Sequence, residues 1–192
     1  MNISFGKKSP ITTCQIYDNK HQKSIPVTCY KFDCNDKSDF QEIEKLNDDD
    51  WQYTCETVSN MKNKFRKTQR GQHSDVVVFT LEKQNGEKIG LCCAEDTEHS
   101  IDVKYFETRQ NGEQKYAGQA LLASIGTEVL NNNQGELKIH NAISSAYDFY
   151  EKICGFTENI QDYCLSMNRL GVRRFIRQTE QRTKGPIIEV EA

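Results

Sequence analysis

Long hydrophobic runs are missing from this 192-residue chain: no uninterrupted apolar stretch is longer than the one from Val76 to Phe79. A membrane-spanning helix needs roughly 20 consecutive apolar residues, so no membrane partner is expected. Residues Met1 to Pro10 include Lys7 and Lys8 but neither the apolar stretch nor the cleavage site of a secretory signal, and a cytoplasmic protein is the expectation. Paired cysteines are missing as well. Cys14, Cys29, Cys34, Cys55, Cys92, Cys93, Cys154 and Cys164 contain no Cys-x-x-Cys and no Cys/His ladder of zinc type. They are too sparse for a small secreted disulfide scaffold and read as reduced, mostly buried thiols; no metal is expected. A dominant charge is the third absence. The 25 Lys and Arg face 28 Asp and Glu, a net charge of -3, which argues against the whole chain binding nucleic acid electrostatically.

What is present suffices for one domain with a buried core, since 36% of the residues are hydrophobic and 28% charged. Ile11 to Tyr17 and Ile25 to Phe32 mix β-branched, aromatic and polar residues around the polar segment Asp18 to Ser24, and are expected to pair as strands. Asp36 to Glu56 then holds eight carboxylates against Lys37 and Lys45. Within it Phe40, Ile43, Leu46 and Trp51 recur near helical spacing, with Ser38 as the expected N-cap. Val58, Met61 and Phe65 share a face of a second helix reaching Lys67. Such an acidic run is either a solvated helix face or a lip that attracts a cationic substrate.

From Asp75 the patterns sharpen. Asp75 to Lys83 and Lys88 to Ala94 flank Asn85-Gly86, the strongest short-range hairpin signal. Ser100 to Thr108 is expected as a third strand, Arg109 to Gln114 as a loop, and Gly118 to Leu130 as a helix burying Leu121, Leu122, Ile125 and Val129. Leu137 to Asn141 reads as a short strand. Ser145 to Ile153 reads as a helix that opens on the capping-box variant Ser145-x-x-Asp148, buries Ala146, Phe149, Tyr150 and Ile153, and stops at Gly155. Phe156 to Ile160 and Tyr163 to Asn168 can close as a hairpin. Arg169 to Lys184 sets six cationic side chains against Glu180 and is expected as a helix around Val172, Phe175 and Ile176. This order predicts an α+β (mixed α/β) fold with a mostly antiparallel sheet. A single domain is expected over residues 1–170, clearest over 75–168, followed by a basic helix or tail over 171–192.

The segment Lys115-Tyr116-Ala117-Gly118-Gln119-Ala120 places small residues at a helix start. Backbone N–H groups there lack intrahelical partners and the dipole end is positive, so a phosphate or pyrophosphate can bind, with Lys115 adding a point charge. Small residues at a helix start equally serve close packing on a sheet. Lys115-x-x-Gly118-x-Ala120 resembles the Q/R-x-x-G-x-G/A pyrophosphate loop of the GNAT superfamily of acyl-CoA-dependent N-acyltransferases, with Lys where that family has Gln or Arg. Downstream, Ala146-Tyr147-Asp148-Phe149-Tyr150-Glu151-Lys152-Ile153-Cys154-Gly155-Phe156 is similar to the family's A-x-x-F-Y-E-K-x-G-F helix, with one extra residue before Gly155-Phe156. The resemblance spans Asp75 to about Asn168.

The resemblance implies a twisted sheet whose central strands splay apart, with the pantetheine arm of acetyl-CoA in the gap. It would be bound by the backbone of Phe106, Glu107 and Thr108, and its pyrophosphate by Lys115, Tyr116, Ala117, Gly118, Gln119 and Ala120. It also implies a bulge in the strand before the loop. Strict alternation would put Glu107 on the face of Ile101 and Val103, an awkward place for a carboxylate that a bulge relieves. The implied function is acetyl transfer from acetyl-CoA, by direct attack, to a primary amine of a small molecule, protein or peptide, with a cationic acceptor favoured by the acidic segment. Tyr150 matches the tyrosine that protonates the CoA thiolate in many relatives; a phenol near pKa 10 suits a thiol near about 8.5. Core packing is its bland alternative. Glu107 is the candidate to receive the ammonium proton, directly or through water, unless it is purely structural. His140 could replace it, though a lone strand histidine is usually just hydrogen-bonded. Cys154 and Cys92-Cys93 have no histidine placed by sequence to activate them, so a covalent acetyl-cysteine is not expected. The alternative function is a catalytically weak or inactive binding module that holds acyl-CoA and docks a partner through its basic C-terminal segment; a homodimer is a further expectation.

Overall fold

A computed structural model describes residues 8–46, 51, 56–71, 76–109 and 113–190. The strand pair expected near the start forms as β1 (Ser9–Asp18) and β2 (Lys23–Asp33), antiparallel with Cys14 opposite Val27. Two helices follow, α1 (Lys37–Glu44) and α2 (Glu56–Gln69). The N-cap of α1 is Asp36 and not Ser38: its Oδ1 accepts from the Ser38 and Asp39 N–H groups at 2.8 and 3.0 Å and from Ser38 Oγ at 2.6 Å. A carboxylate with several acceptor sites beside the positive helix end outcompetes a hydroxyl. Leu46 lies beyond the end of α1, where its N–H turns back to Ile43 O. Asp48 to Asp50 lie outside the described residues, and Trp51 is buried all the same.

The Asn85-Gly86 hairpin is present as β3 (Val76–Lys83) and β4 (Lys88–Asp96), with Gly86 at φ +82, a conformation that favours glycine. Next come β5 (Ser100–Thr108), the short β6 (Gln114–Lys115), α3 (Ala117–Asn131) and β7 (Glu136–Ile139). The end of the expected loop is thus a strand: Lys115 pairs with Tyr17 and Gln114 with Asp18 of β1. After β7 a 3-10 turn (Ser144–Ala146) leads into a π-helix (Phe149–Cys154), then β8 (Thr157–Asn159), β9 (Cys164–Asn168), α4 (Arg169–Thr183) and β10 (Ile188–Glu189). The main path through the ten-stranded sheet is β10-β1-β2-β3-β4-β5-β7-β9-β8, with β6 paired to β1 off it. Only β5 and β7 pair in parallel among the described strands.

The expected capping box at Ser145 does not form; no side chain caps this segment, and Asp148 instead bonds Lys152 Nζ at 2.9 Å. The wide π turn takes up the extra residue before Gly155-Phe156. It also changes the buried positions: Tyr150 and Cys154 are buried, while Ile153, expected inside, is 40% exposed.

The sheet separates two cores. On one face α3 and α4 cover Phe79, Leu81, Ala94, Ile101, Val103 and their neighbours, with Val172 and Phe175 of α4 inside this same core. Gly126 of α3 lets α4 come close, because a Cβ there would sit 2.9 Å from Val172 Cγ1. On the other face α1 and α2 bury Ile43, Met61 and Phe65 against Phe32, Val78 and Leu91. No helix among the described residues is long and apolar enough to cross a membrane.

Two of the six cations at the C-terminal end serve the fold. Arg169 donates to Val129, Leu130 and Gln134 carbonyls at 3.3, 3.1 and 2.8 Å, closing the end of α3, and Arg182 donates to Ile153 O at 3.0 Å, closing the π-helix. The acidic segment is likewise largely occupied. Asp36 caps α1, Asp39 is buried, Glu42 pairs with Lys8 and Lys88 at 3.1 and 2.6 Å, and Glu44 pairs with Arg66.

Candidate active site

A single extra residue shapes the site. Along the β4–β5 ladder Cys93 faces Tyr105 and Ala94 faces Val103, so Lys104 is the surplus residue of a β-bulge. Before it, Ile101 and Val103 face the α3 core. After it, Glu107 stands opposite Leu91 of the α2-side core and Phe106 opposite Cys92 of the α3-side core. The bulge therefore takes Glu107 off the face of Ile101 and Val103, as the resemblance implied.

At the same level β5 and β7 separate. Their ladder covers Ser100–Val103 and Glu136–Ile139, the His140 N–H still reaches Val103 O at 2.9 Å, and no further rung is formed. The widening gap is a cleft of about 660 Å³, within the ordinary range for small-molecule sites. Its β5 wall is Lys104 to Thr108, and the wall facing it is Ile139 at the end of β7 with the residues that follow to Ile143; Asn60 of α2, Phe149, Tyr150 and the start of α3 complete the lining.

The start of α3 meets the cleft without a side-chain cap. Its N-cap, Tyr116, is held at φ +71, a left-handed conformation rare for an aromatic residue. The β6–β1 pairing and the bond from Asn19 N–H to Glu113 O at 2.6 Å tie down the preceding chain. Tyr116, Ala117, Gly118 and Gln119 line the cleft. A Cβ on Gly118 would sit 3.1 Å from Phe149 Cζ, so glycine lets the helix start against the aromatic side chains. Lys115 is exposed outside this lining, and Ala120 is fully buried in the core. Sequence reasoning named Gln119 within the helix start and passed over Gln114. Gln119 is 5% exposed, and its Nε2 and both amide atoms of Gln114 are buried with no hydrogen bond among the described residues. Both glutamines line the cleft, and a ligand with phosphate or amide groups would satisfy them.

Tyr150 is 6% exposed and lines the cleft from within an aromatic cluster, with ring centroids 6.3 Å from Phe106, 5.3 Å from Phe149 and 6.0 Å from Phe156. Burial, with smaller contributions from Cys92 and Cys154, pushes its phenol well above the usual range. It therefore stays protonated and is suited to donating a hydrogen bond. Glu107 is 6% exposed and also lines the cleft, from the α2 side. His140 lines it too, with Nε2 at 3.1 Å from Asp102 Oδ2. The seven cysteines among the described residues are free and buried. Burial pushes the Cys14 and Cys93 thiols up to about 12 and raises Cys92 and Cys154 as well, which suppresses thiolate chemistry. Among the described residues no group of three or more His, Cys, Asp or Glu is gathered to hold a metal.

No protein-family model matches this chain, and no curated protein matches it. Solved structures do. Gcn5 of Tetrahymena is 14% identical at a TM-score of 0.52, covering 68% of this chain and 88% of its own. The ribosomal-protein-S18-alanine N-acetyltransferase from Escherichia coli is 14% identical at 0.50, covering 74% and 93%. A tyrosine-to-phenylalanine mutant of the toxin AtaT, bound to the C-terminus of the antitoxin AtaR and acetyl-CoA, is 12% identical at 0.53, covering 79% and 98%. At such identities the likeness is one of fold. With its bulged β5, its gap beside β7 and its mostly antiparallel sheet, the chain has the fold of the GNAT acetyltransferases.

Proposed function

We propose that this protein is an acetyl-CoA-dependent N-acetyltransferase that acts on a primary amine by direct attack. The carrying observation is that one cleft is reached from opposite sides of the sheet by a buried phenol, Tyr150, and by proton-accepting groups, Glu107 and His140. Acetyl transfer needs that separation: an amine loses a proton where it attacks, and the thiolate leaves on the other side of the carbonyl.

Acetyl-CoA would lie with its pyrophosphate at the start of α3, near Tyr116 to Gln119, and its pantetheine arm along the backbone of Phe106, Glu107 and Thr108. Lys115 would contribute as a long-range charge and Ala120 through packing. Tyr150 would donate a hydrogen bond to the departing sulfur. Because its phenol is raised, it stabilises the thiolate without giving up its proton outright. Glu107, a carboxylate in the cleft wall, favours a cationic acceptor such as a lysine or polyamine. Most described carboxylates of the acidic segment are engaged with the fold, so the local attraction comes from the cleft itself.

Thermal unfolding with acetyl-CoA tests this reading. A ligand at about 100 times its Kd stabilises by about 2.7 kcal/mol, and Tm is expected to rise. No shift would overturn the enzyme and equally the acyl-CoA-binding module. Thiol release with spermidine, a blocked lysine or an aminoglycoside then separates those two. Tyr150→Phe is expected to lower kcat about 100-fold with acetyl-CoA affinity kept; full activity in that variant removes the assignment.

A further inference from the structure

Resting on the acetyl-transfer reading, we propose that His140 takes the proton of the attacking amine and that Asp102 is the residue that positions it. The two groups meet across the β5–β7 ladder although they are 38 residues apart, and Asp102 is fixed from further sides. Ser100 Oγ donates to Asp102 Oδ1 at 2.6 Å, and Lys104 Nζ lies 3.7 Å from Oδ2. Lys104 also pairs with Glu95 at 3.1 Å, and Glu95 with Lys64 of α2 at 2.9 Å. Charges of alternating sign therefore run from α2 across β4 and β5 and end on an imidazole in the cleft wall. Lys104 can join Glu95 to Asp102 because it lies two residues beyond Asp102 and Asp102 stands directly opposite Glu95.

His140 sits where the last rung between β5 and β7 is made, at the narrow end of the cleft. Its side chain is 22% exposed. With Nε2 on Asp102, Nδ1 is the ring atom left to accept a proton. Glu107 then attracts the ammonium group and His140 deprotonates it. One proton of the ammonium passes to Nδ1, the nitrogen lone pair attacks the thioester carbon, and the C–N bond forms. As the C–S bond breaks, its electron pair goes to sulfur, which receives the second nitrogen proton while Tyr150 donates a hydrogen bond to it. The imidazolium returns its proton to solvent, so amide, thiol and one proton are released.

The charged groups around the imidazole are Asp102 and Lys104 of β5, Lys138 of β7, and Asp162 of the β8–β9 turn, which pairs with Lys138 at 2.7 Å. Glu95 and Lys64 stand one step further out. Asp102 is the nearest negative charge and the group that holds Nε2.

The test follows the ring nitrogen signals of the four histidines by NMR, with His140 assigned by its loss in His140→Gln. Asp102→Asn is expected to change the His140 tautomer signature, because the carboxylate that holds Nε2 is gone; an unchanged signature overturns the positioning role. In assays with acetyl-CoA and spermidine or a blocked lysine, His140→Gln is expected to lower kcat about 100-fold or more, with acetyl-CoA affinity unchanged. Asp102→Asn is expected to lower kcat in the same direction with that affinity kept. If His140→Gln keeps its activity, this inference falls and the acetyl-transfer reading stands. If the wild-type protein neither binds acetyl-CoA nor releases thiol, both fall.

Discussion

The two sides of the central sheet are built from opposite materials. Towards α3 and α4 the core is a large apolar cluster, crossed by Thr12 Oγ1 donating to Ser124 Oγ at 2.6 Å and flanked by Lys31 pairing with Glu128 of α3 at 3.1 Å. Towards α2, beside a smaller apolar core, ion pairs cross the strands from Lys64 to Asp102. Apolar packing is costly to disturb and fixes geometry. Exposed or half-exposed ion pairs contribute little to stability but hold charge where it can act. The first side therefore sets the position of the helix start and Tyr150, and the second sets the charge around the attacking group.

The contrast is broken most severely on the apolar side. Phe79→Ala, at a fully buried position, is expected to lose about 3–5 kcal/mol in urea unfolding; a loss below that of a surface substitution would refute the division. Gly126→Ala comes next. Its Cβ would press on Val172 and cost about 1–3 kcal/mol, read as a lower Tm, and Val172→Ala in the same chain should restore part of it.

Glu95→Gln on the polar side is expected to cost about 1 kcal/mol or less near neutrality. Burial acts to raise the Glu95 carboxyl, but the bonds from Lys64 and Lys104 outweigh it and hold the group below its ordinary value. Its contribution is complete above the ordinary glutamate value of about 4.3 and is lost as pH falls through the lowered one. Wild-type stability should therefore fall more steeply on acidification than that of Glu95→Gln, as measured by urea unfolding across that range. The smallest effect is expected for Arg173→Glu with Arg174→Glu. Both side chains are exposed on α4, and unfolding should change by no more than about 0.5 kcal/mol.

Patterns local in sequence were legible: Asn85-Gly86 fixed its hairpin, and the apolar spacing of Leu121, Leu122, Ile125 and Val129 marked α3. The resemblance implied a bulge, and the awkward place of the Glu107 carboxylate agreed with it, because a one-residue shift exchanges every side chain between faces. Less accessible was anything set by a partner far along the chain. Ser38 lost its cap to Asp36 in a local competition between acceptors, whereas β6 exists because β1 offers it an edge. The π-helix hid behind an α-like pattern, and the extra residue before Gly155 was its only trace. The meeting of His140 with Asp102 depends on the register of β5 against β7, which side-chain periodicity does not encode. Gln114 carries no motif; only burial without partners marks it.

Lys104 gives the cleft a reading frame. An odd residue inverts the parity of everything after it in β5, so Tyr105 to Thr108 obey the opposite inside-outside rule from Ser100 to Val103. Loss of that one residue would close the bulge and leave every neighbour on its present face, because Val103, Tyr105, Phe106 and Glu107 would then alternate along β4 without interruption; it would also take away the cation that joins Glu95 to Asp102. A deletion at this point would therefore spare the register and flatten the strand, since the bend and added twist beside the cleft belong to the bulge alone.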